Sequence, residues 1–170
     1  MKAMSNTYHD QKQLAAILMA FSFSAGRIGR CAAALAFLYA LMEGAPKRRI
    51  VSVLLAAAAL LTLCSALLPG VPSANMLLLL VFLSYALLTL FLVDLRRYKG
   101  WLLIHLMLCL TLCILYLLCF QLAAPGLELV GVAQLAQYDR IEHIVYWVNL
   151  TRCLLSLWIL LPFLKRHTSD

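Results

Sequence analysis

Apolar residues along this chain come in long blocks that are separated by short polar or basic connections. Four blocks are about twenty residues long and almost free of charge: residues 50–69, 76–95, 101–122 and 144–164. An α-helix rises about 1.5 Å per residue, so each block is long enough to cross a hydrocarbon layer of about 30 Å. Because the blocks are continuous rather than alternating in polarity, they predict spanning helices and not the strands of a barrel.

The first apolar block, residues 14–42, is less regular because Ser22, Ser24 and the stretch Gly26–Arg30 interrupt it. Three arrangements fit: one long tilted span, a surface helix followed by a span from about residue 26, or a re-entrant hairpin that turns at the glycines. An arginine at the centre of a span costs about 2.5–3.5 kcal/mol. We therefore favour a single fifth span that keeps both arginines near its non-cytoplasmic end.

The connection before the last block has a mixed pattern. Pro125-Gly126 ends the preceding block, and residues 127–141 then combine leucine and valine with Glu128, Gln134, Gln137 and Asp139. This mixture predicts a short amphipathic helix on the non-cytoplasmic surface, separate from the last span.

Composition excludes a soluble fold. About two thirds of the 170 residues (65%) are hydrophobic, and the mean hydropathy is +0.94. A chain of this size cannot hide so much apolar surface in a soluble core. The fold class that we predict is all-α: a polytopic membrane helix bundle over residues 1–170, with four transmembrane helices and the fifth, N-terminal one, which can be broken or re-entrant.

Charge sets the expected topology. Of the basic residues around the connections, eight lie on one side (Lys47, Arg48, Arg49, Arg96, Arg97, Lys99, Lys165 and Arg166) and only Arg140 lies on the other. This is the positive-inside pattern, which predicts a multi-pass protein of the cytoplasmic (inner) membrane with a cytoplasmic C-terminus and, with five spans, an N-terminus outside. The net charge of +7 is thus explained by topology, and we expect lipid rather than nucleic acid as a partner.

One face of block 101–122 carries His105, Cys109, Cys113 and Tyr116 within about 80°. A haem would need a second axial ligand, but His143 lies about a membrane thickness away from His105. A metal would find only three ligands on this face. The six cysteines all lie in apolar segments, which disfavours a disulfide framework. We expect no cofactor and interpret the face as part of an intramembrane polar stripe.

The last block supplies the rest of that stripe through Tyr146, Asn149 and Ser156, with Arg152 at its border. A charge this deep in a span needs compensation, so we expect Arg152 to face protein. Its candidate partners are Asn149 and Tyr146 on its own helix, and Tyr116 or a carbonyl on the preceding helix. Arg27 and Arg30, three residues apart, could likewise contact a phosphate, a carboxylate or a partner protein.

No constellation of catalytic residues is apparent, and the connections are short. We therefore expect a non-catalytic membrane subunit or accessory protein that binds a partner complex through helix–helix contacts, with homo-oligomers as one form of that assembly. A small transporter or channel for an anionic or neutral solute is the alternative, and it predicts a water-accessible cavity between blocks 101–122 and 144–164. An immunity protein against a pore-forming toxin is the third.

Overall fold

The computed structural model describes residues 2–43, 49–68, 73–93, 98–123 and 132–167, and these residues form six α-helices. The helices are α1 (Lys2–Phe23), α2 (Gly26–Glu43), α3 (Arg49–Leu67), α4 (Ser73–Leu92), α5 (Lys99–Ala123) and α6 (Val132–His167). The all-α class is therefore confirmed. Within the described part of the chain, four helices are long and apolar enough to cross a membrane: Arg49–Leu67, Ala74–Leu92, Lys99–Leu122 and Leu135–Pro162.

The N-terminal apolar block forms two helices, which corrects the single fifth span that we favoured. α1 and α2 pack against each other in opposite directions. The Gln13 amide donates a hydrogen bond to the carbonyl of Ala40 at 3.1 Å, and the rings of Phe21 and Phe37 meet edge to face at 5.8 Å. The chain turns between them at the glycines, as in the hairpin alternative. The N-terminal end of α1 and the C-terminal end of α2 therefore lie toward the same end of the molecule.

Two glycines make the α1–α2 turn possible. Gly26 has a φ of +68°, a left-handed conformation that side-chain-bearing residues rarely adopt. At Gly29 a Cβ atom would overlap the Phe23 carbonyl oxygen. The first turn of α2 therefore sits directly against the end of α1, and the interruption in the apolar pattern marks a sharp reversal of the chain.

The last helix is longer than expected, which corrects the separate surface helix at 127–141. α6 runs without a break for 36 residues, about 54 Å at the rise of an α-helix. No proline or glycine occurs between residues 132 and 161, so nothing ends the helix before the last apolar block. Tyr138, in this extension, accepts a hydrogen bond from the Asn75 amide of α4 at 3.2 Å. Residues 127–131 lie outside the described residues.

The six helices form a closed ring. Each helix packs on its neighbours in the chain, and α1 also packs on α6, which closes the ring. Aromatic side chains fill the centre: Phe21 of α1 lies 5.1 Å from the ring of Tyr85 in α4, and Phe37 of α2 lies 5.3 Å from the same tyrosine. All three are fully buried. The core therefore sits where the N-terminal hairpin meets the spanning helices.

Gly29→Ala tests the close approach in the hairpin. The added methyl group must displace the Phe23 backbone, so we expect the free energy of unfolding to fall by about 1–3 kcal/mol. Gly100→Ala is the matched control, because a Cβ there has no neighbour within 4 Å. Equilibrium unfolding in mixed detergent micelles measures both, and equal stability of the two variants would contradict the described turn.

Candidate functional site

Arg152 is completely buried (0% exposed) and is the largest such side chain among the described residues. α6 directs it away from lipid and into the ring of helices, so the expectation that Arg152 faces protein is confirmed. Burial on this scale is rare for arginine unless its donors are satisfied. The surroundings of its guanidinium therefore define the candidate site.

Hydrogen-bond acceptors for Arg152 come from two parts of the chain. On its own helix, Asn149 Oδ1 accepts from both Nε (3.1 Å) and Nη2 (2.8 Å). From the N-terminal hairpin, the Phe21 carbonyl accepts from Nη1 at 3.2 Å, and the Ser24 hydroxyl oxygen accepts from Nη2. Nη2 also lies 3.3 Å from the sulfur of Cys153. The planar donor fork of arginine thus bridges α6 and the end of α1.

Aromatic faces provide the rest of the environment. The guanidinium carbon lies 5.2 Å from the ring centre of Phe82 and 5.4 Å from that of Tyr85. Both distances fall within the range of a cation–π interaction, which gains strength where water is excluded. Two aromatic side chains of α4 therefore help to stabilise a positive charge that has lost its hydration.

The end of α1 supplies the negative counterpart. Phe21 belongs to the last turn of α1, where carbonyl groups have no partner within the helix. These carbonyls also carry the negative end of the helix dipole, which favours a nearby cation. Within residues 2–43, 49–68, 73–93, 98–123 and 132–167, no carboxylate pairs with Arg152. A helix terminus, an amide and two aromatic rings compensate the charge instead of a salt bridge.

His105 of α5 belongs to the same buried cluster. Its ring stacks on that of Phe21 at 4.6 Å, and Nδ1 lies 3.0 Å from the hydroxyl of Thr89. That hydroxyl donates its own hydrogen to the Tyr85 carbonyl at 2.8 Å. Thr89 must therefore accept from His105, which places a proton on Nδ1. The Nε2 atom then remains as an acceptor, and it is buried without a hydrogen-bond partner in the part of the chain that the structure describes.

The structure brings together some of the polar residues singled out in the sequence. Asn149 binds Arg152 directly, and Ser156 donates to the Arg152 carbonyl at 3.0 Å. Tyr116 stacks on Phe82 at 5.5 Å, so it lines the same cluster. Tyr146 does not belong to it, because its side chain is 61% exposed and contacts Trp147. The proposed stripe on the last helix thus divides between an inner and an outer face.

Arg27 and Arg30 lie at the α1–α2 turn rather than in the cluster. Arg27 is exposed and Arg30 is partly buried. Sequence reasoning missed Ser24 and the Phe21 carbonyl, which belong to the N-terminal hairpin and not to the helix before α6. The signal for Ser24 was its position in an apolar stretch just before Gly26. The sequence does not show which backbone carbonyl accepts a hydrogen bond, so the role of Phe21 could not be predicted.

A separate cavity of about 280 Å³ opens between α5 and α6. It is lined by Tyr98, Trp101, Trp158, Ile159, Leu161 and Pro162. Its walls are therefore mainly apolar and aromatic, and none of the residues of the Arg152 cluster lines it. The cavity and the polar cluster are two distinct features of the bundle.

These observations define an all-α membrane protein with four helices able to span a bilayer and an arginine clamp at its core. By the arginine clamp we mean Arg152 with Asn149, Ser24 and the Phe21 carbonyl. Comparison with protein-family models, with curated proteins and with solved structures gives no match.

Arg152→Leu tests the clamp. The substitution makes α6 more hydrophobic but leaves Ser24 and Asn149 without the Arg152 donors. The Phe21 carbonyl loses one of its two donors and keeps the Ser24 hydroxyl, which donates to it at 2.9 Å. We expect the free energy of unfolding in detergent to fall by roughly 2–4 kcal/mol. Arg152→Lys should rescue poorly, because an ammonium group cannot reproduce the planar fork. Arg140→Leu removes an exposed arginine of the same helix and is the control. An Arg152→Leu variant as stable as this control would refute the clamp.

Proposed function

We propose that the protein is a non-catalytic multi-pass membrane subunit or accessory protein that contacts a partner complex through its helices. The observation that carries this proposal is that the buried polar side chains form hydrogen bonds with other groups of the protein. The donors of Arg152 are engaged inside the ring of helices, where they join α1 to α6. These hydrogen bonds stabilise the helix bundle itself. The outward faces of the helices therefore remain as the surfaces that can bind a partner protein.

The outer face of α2 is the surface best suited to such contacts. Ile28, Leu35 and Met42 recur at intervals of seven residues and are 88%, 68% and 85% exposed. Residues seven apart lie on one side of a helix and form the kind of seam along which a second helix packs. Tyr39 extends this surface and is 48% exposed. We call these four residues the α2 seam and assign the partner helix to it.

The basic connections support an orientation in the inner membrane. If residues 44–48 and the C-terminus are cytoplasmic, as positive charge predicts, the antiparallel α1–α2 hairpin brings the N-terminus to the cytoplasmic side as well. The hairpin then enters the membrane from that side and turns within it. This orientation replaces the outside N-terminus that a single fifth span required.

Transport has less support. The cavity between α5 and α6 agrees with the transporter alternative in position, but its lining is mainly apolar. Arg152 and Ser156 are fully buried and hydrogen-bonded within the protein. A polar pathway along them would require the clamp to open. The toxin-immunity alternative would use the same lateral helix contacts, so it is one form of the proposed role.

Site-specific photo-crosslinking in the native membrane tests the α2 seam. A photoreactive residue in place of Leu35 or Met42 should give one discrete protein adduct, because both face the partner helix. Leu60 of α3, which is 63% exposed, is the control position and should give no such adduct. Gentle purification should recover the same partner, and a strictly solitary monomer with lipid adducts alone would contradict the proposal.

Reporter fusions test the orientation. A reporter active only in the cytoplasm should be active when fused to residue 1 and when fused to residue 170. A fusion in the connection that follows α3, at residue 70, should be inactive in the same assay and serves as the control. An active reporter at one terminus only would show that α1 and α2 do not enter and leave on the same side.

A further inference from the structure

We propose that the cavity between α5 and α6 binds one anionic phospholipid whose headgroup contains hydroxyl groups. An acyl chain of this lipid lies between Trp101 and Trp158, and its phosphate lies at Lys99. The site does not depend on the proposed partner contacts, because the α2 seam belongs to a different helix. A lipid that merely surrounds the bundle differs from this one, because it shows no preference for a particular headgroup.

The cavity lies where two spanning helices reach the same boundary of the bilayer. Tyr98 and Trp101 line it from the start of the span Lys99–Leu122, and Pro162 lines it from the last residue of the span Leu135–Pro162. Tryptophan and tyrosine are enriched at this depth, where hydrocarbon meets the headgroups. A molecule in the cavity can therefore contact both layers, which suits an amphipathic lipid.

The walls of the cavity suit a hydrocarbon chain. Trp101 and Trp158 are 47% and 63% exposed, so both rings stand at the outer surface of the bundle and the cavity can be reached from the lipid. Ile159, also in the lining, is buried and closes the inner side. The volume of about 280 Å³ is close to the lower limit for small-molecule sites, about 300 Å³. The cavity therefore holds part of one acyl chain, with the rest of the lipid outside the bundle.

Basic residues adjoin the lining residues on both helices. Lys99 follows Tyr98 directly and is exposed. Lys165 and Arg166 follow Pro162 within about one turn of α6. Each basic residue close to the bilayer surface adds to the attraction of an anionic lipid. This concentration of positive charge favours an anionic headgroup over a zwitterionic one.

The backbone of α6 adds a hydrogen-bond acceptor beside the same cavity. Pro162 lies inside the helix and has no N–H, so it cannot donate to the Trp158 carbonyl four residues earlier. Both residues line the cavity. A carbonyl that lacks its helical donor needs another donor in an apolar setting. Hydroxyl groups of a lipid headgroup supply such donors.

Native mass spectrometry of the full-length protein in detergent micelles tests the site with three lipids that share the same dioleoyl chains. Dioleoylphosphatidylglycerol has a negative charge and hydroxyl groups, dioleoylphosphatidylmethanol has the negative charge alone, and dioleoylphosphatidylcholine has neither a net charge nor a hydroxyl group. We expect one retained lipid per protein. Phosphatidylglycerol should bind about fivefold more tightly than phosphatidylmethanol because of its hydroxyl groups, and phosphatidylmethanol about fivefold more tightly than phosphatidylcholine because of its charge.

Two variants test the headgroup contacts. Lys99→Gln should weaken binding of both anionic lipids about fivefold and leave phosphatidylcholine unchanged. Arg140→Gln removes an exposed positive charge elsewhere on α6 and is the control, which should change none of the three. Pro162→Ala restores the helical N–H, so it should abolish the preference for phosphatidylglycerol over phosphatidylmethanol. Alanine favours the helix, so this loss cannot be attributed to unfolding.

Trp158→Ala tests the chain contact. The substitution removes a wall of the cavity, so it should weaken binding of all three lipids. Trp147→Ala is the matched control, because Trp147 is similarly exposed (58%) and lies roughly 16 Å further along α6. Equal binding of the three lipids would identify surrounding lipid only and would overturn the proposal. Loss of the headgroup preference in Arg140→Gln, or equal effects of the two tryptophan variants, would overturn it as well.

Discussion

The fold depends on the contact between a buried cation, the guanidinium of Arg152, and the C-terminal end of α1. Arg152 has left water and needs acceptors, while the last carbonyls of α1 need donors that their own helix cannot supply. The hydrogen bond from Arg152 to the Phe21 carbonyl meets both needs at once. The Ser24 hydroxyl donates to the same carbonyl at 2.9 Å, so the end of α1 has one local donor and one donor from α6. A salt bridge in the same place would have required a carboxylate to lose its hydration too.

The rest of the core is arranged around this contact. Phe21 brings its carbonyl to Arg152 and its ring to Phe37, His105 and Tyr85. This single residue therefore joins α1 to four other helices. The α1–α2 turn fixes its position, because Gly26 and Gly29 allow the chain to reverse just after Ser24. The glycines at the turn, Ser24 at the end of α1 and Arg152 on α6 therefore act together to position the end of α1.

Length and hydrophobicity were enough to predict the spanning helices from the sequence. Four apolar blocks matched four helices able to span a membrane, and the position of Arg152 deep in a block predicted that it faces protein. Hydropathy could not separate a span from a helical hairpin, because both are apolar and only the backbone conformation of Gly26 distinguishes them. It also could not predict the length of α6, since polar residues such as Asp139 are compatible with a helix that continues beyond the apolar layer. The acceptor that Phe21 offers to Arg152 is a backbone carbonyl, a group that every residue carries.

The ring closes between the first helix and the last, and this order has a consequence for biosynthesis. The contacts of Arg152 with Phe21 and Ser24 join residues 131 and 128 positions apart. Translation makes α1 well before α6, so these two contacts cannot form until α6 is present. Until then the Ser24 hydroxyl, which donates to the Phe21 carbonyl at 2.9 Å, is the donor available at the end of α1. Closure of the ring is therefore among the last packing steps that the order of synthesis allows.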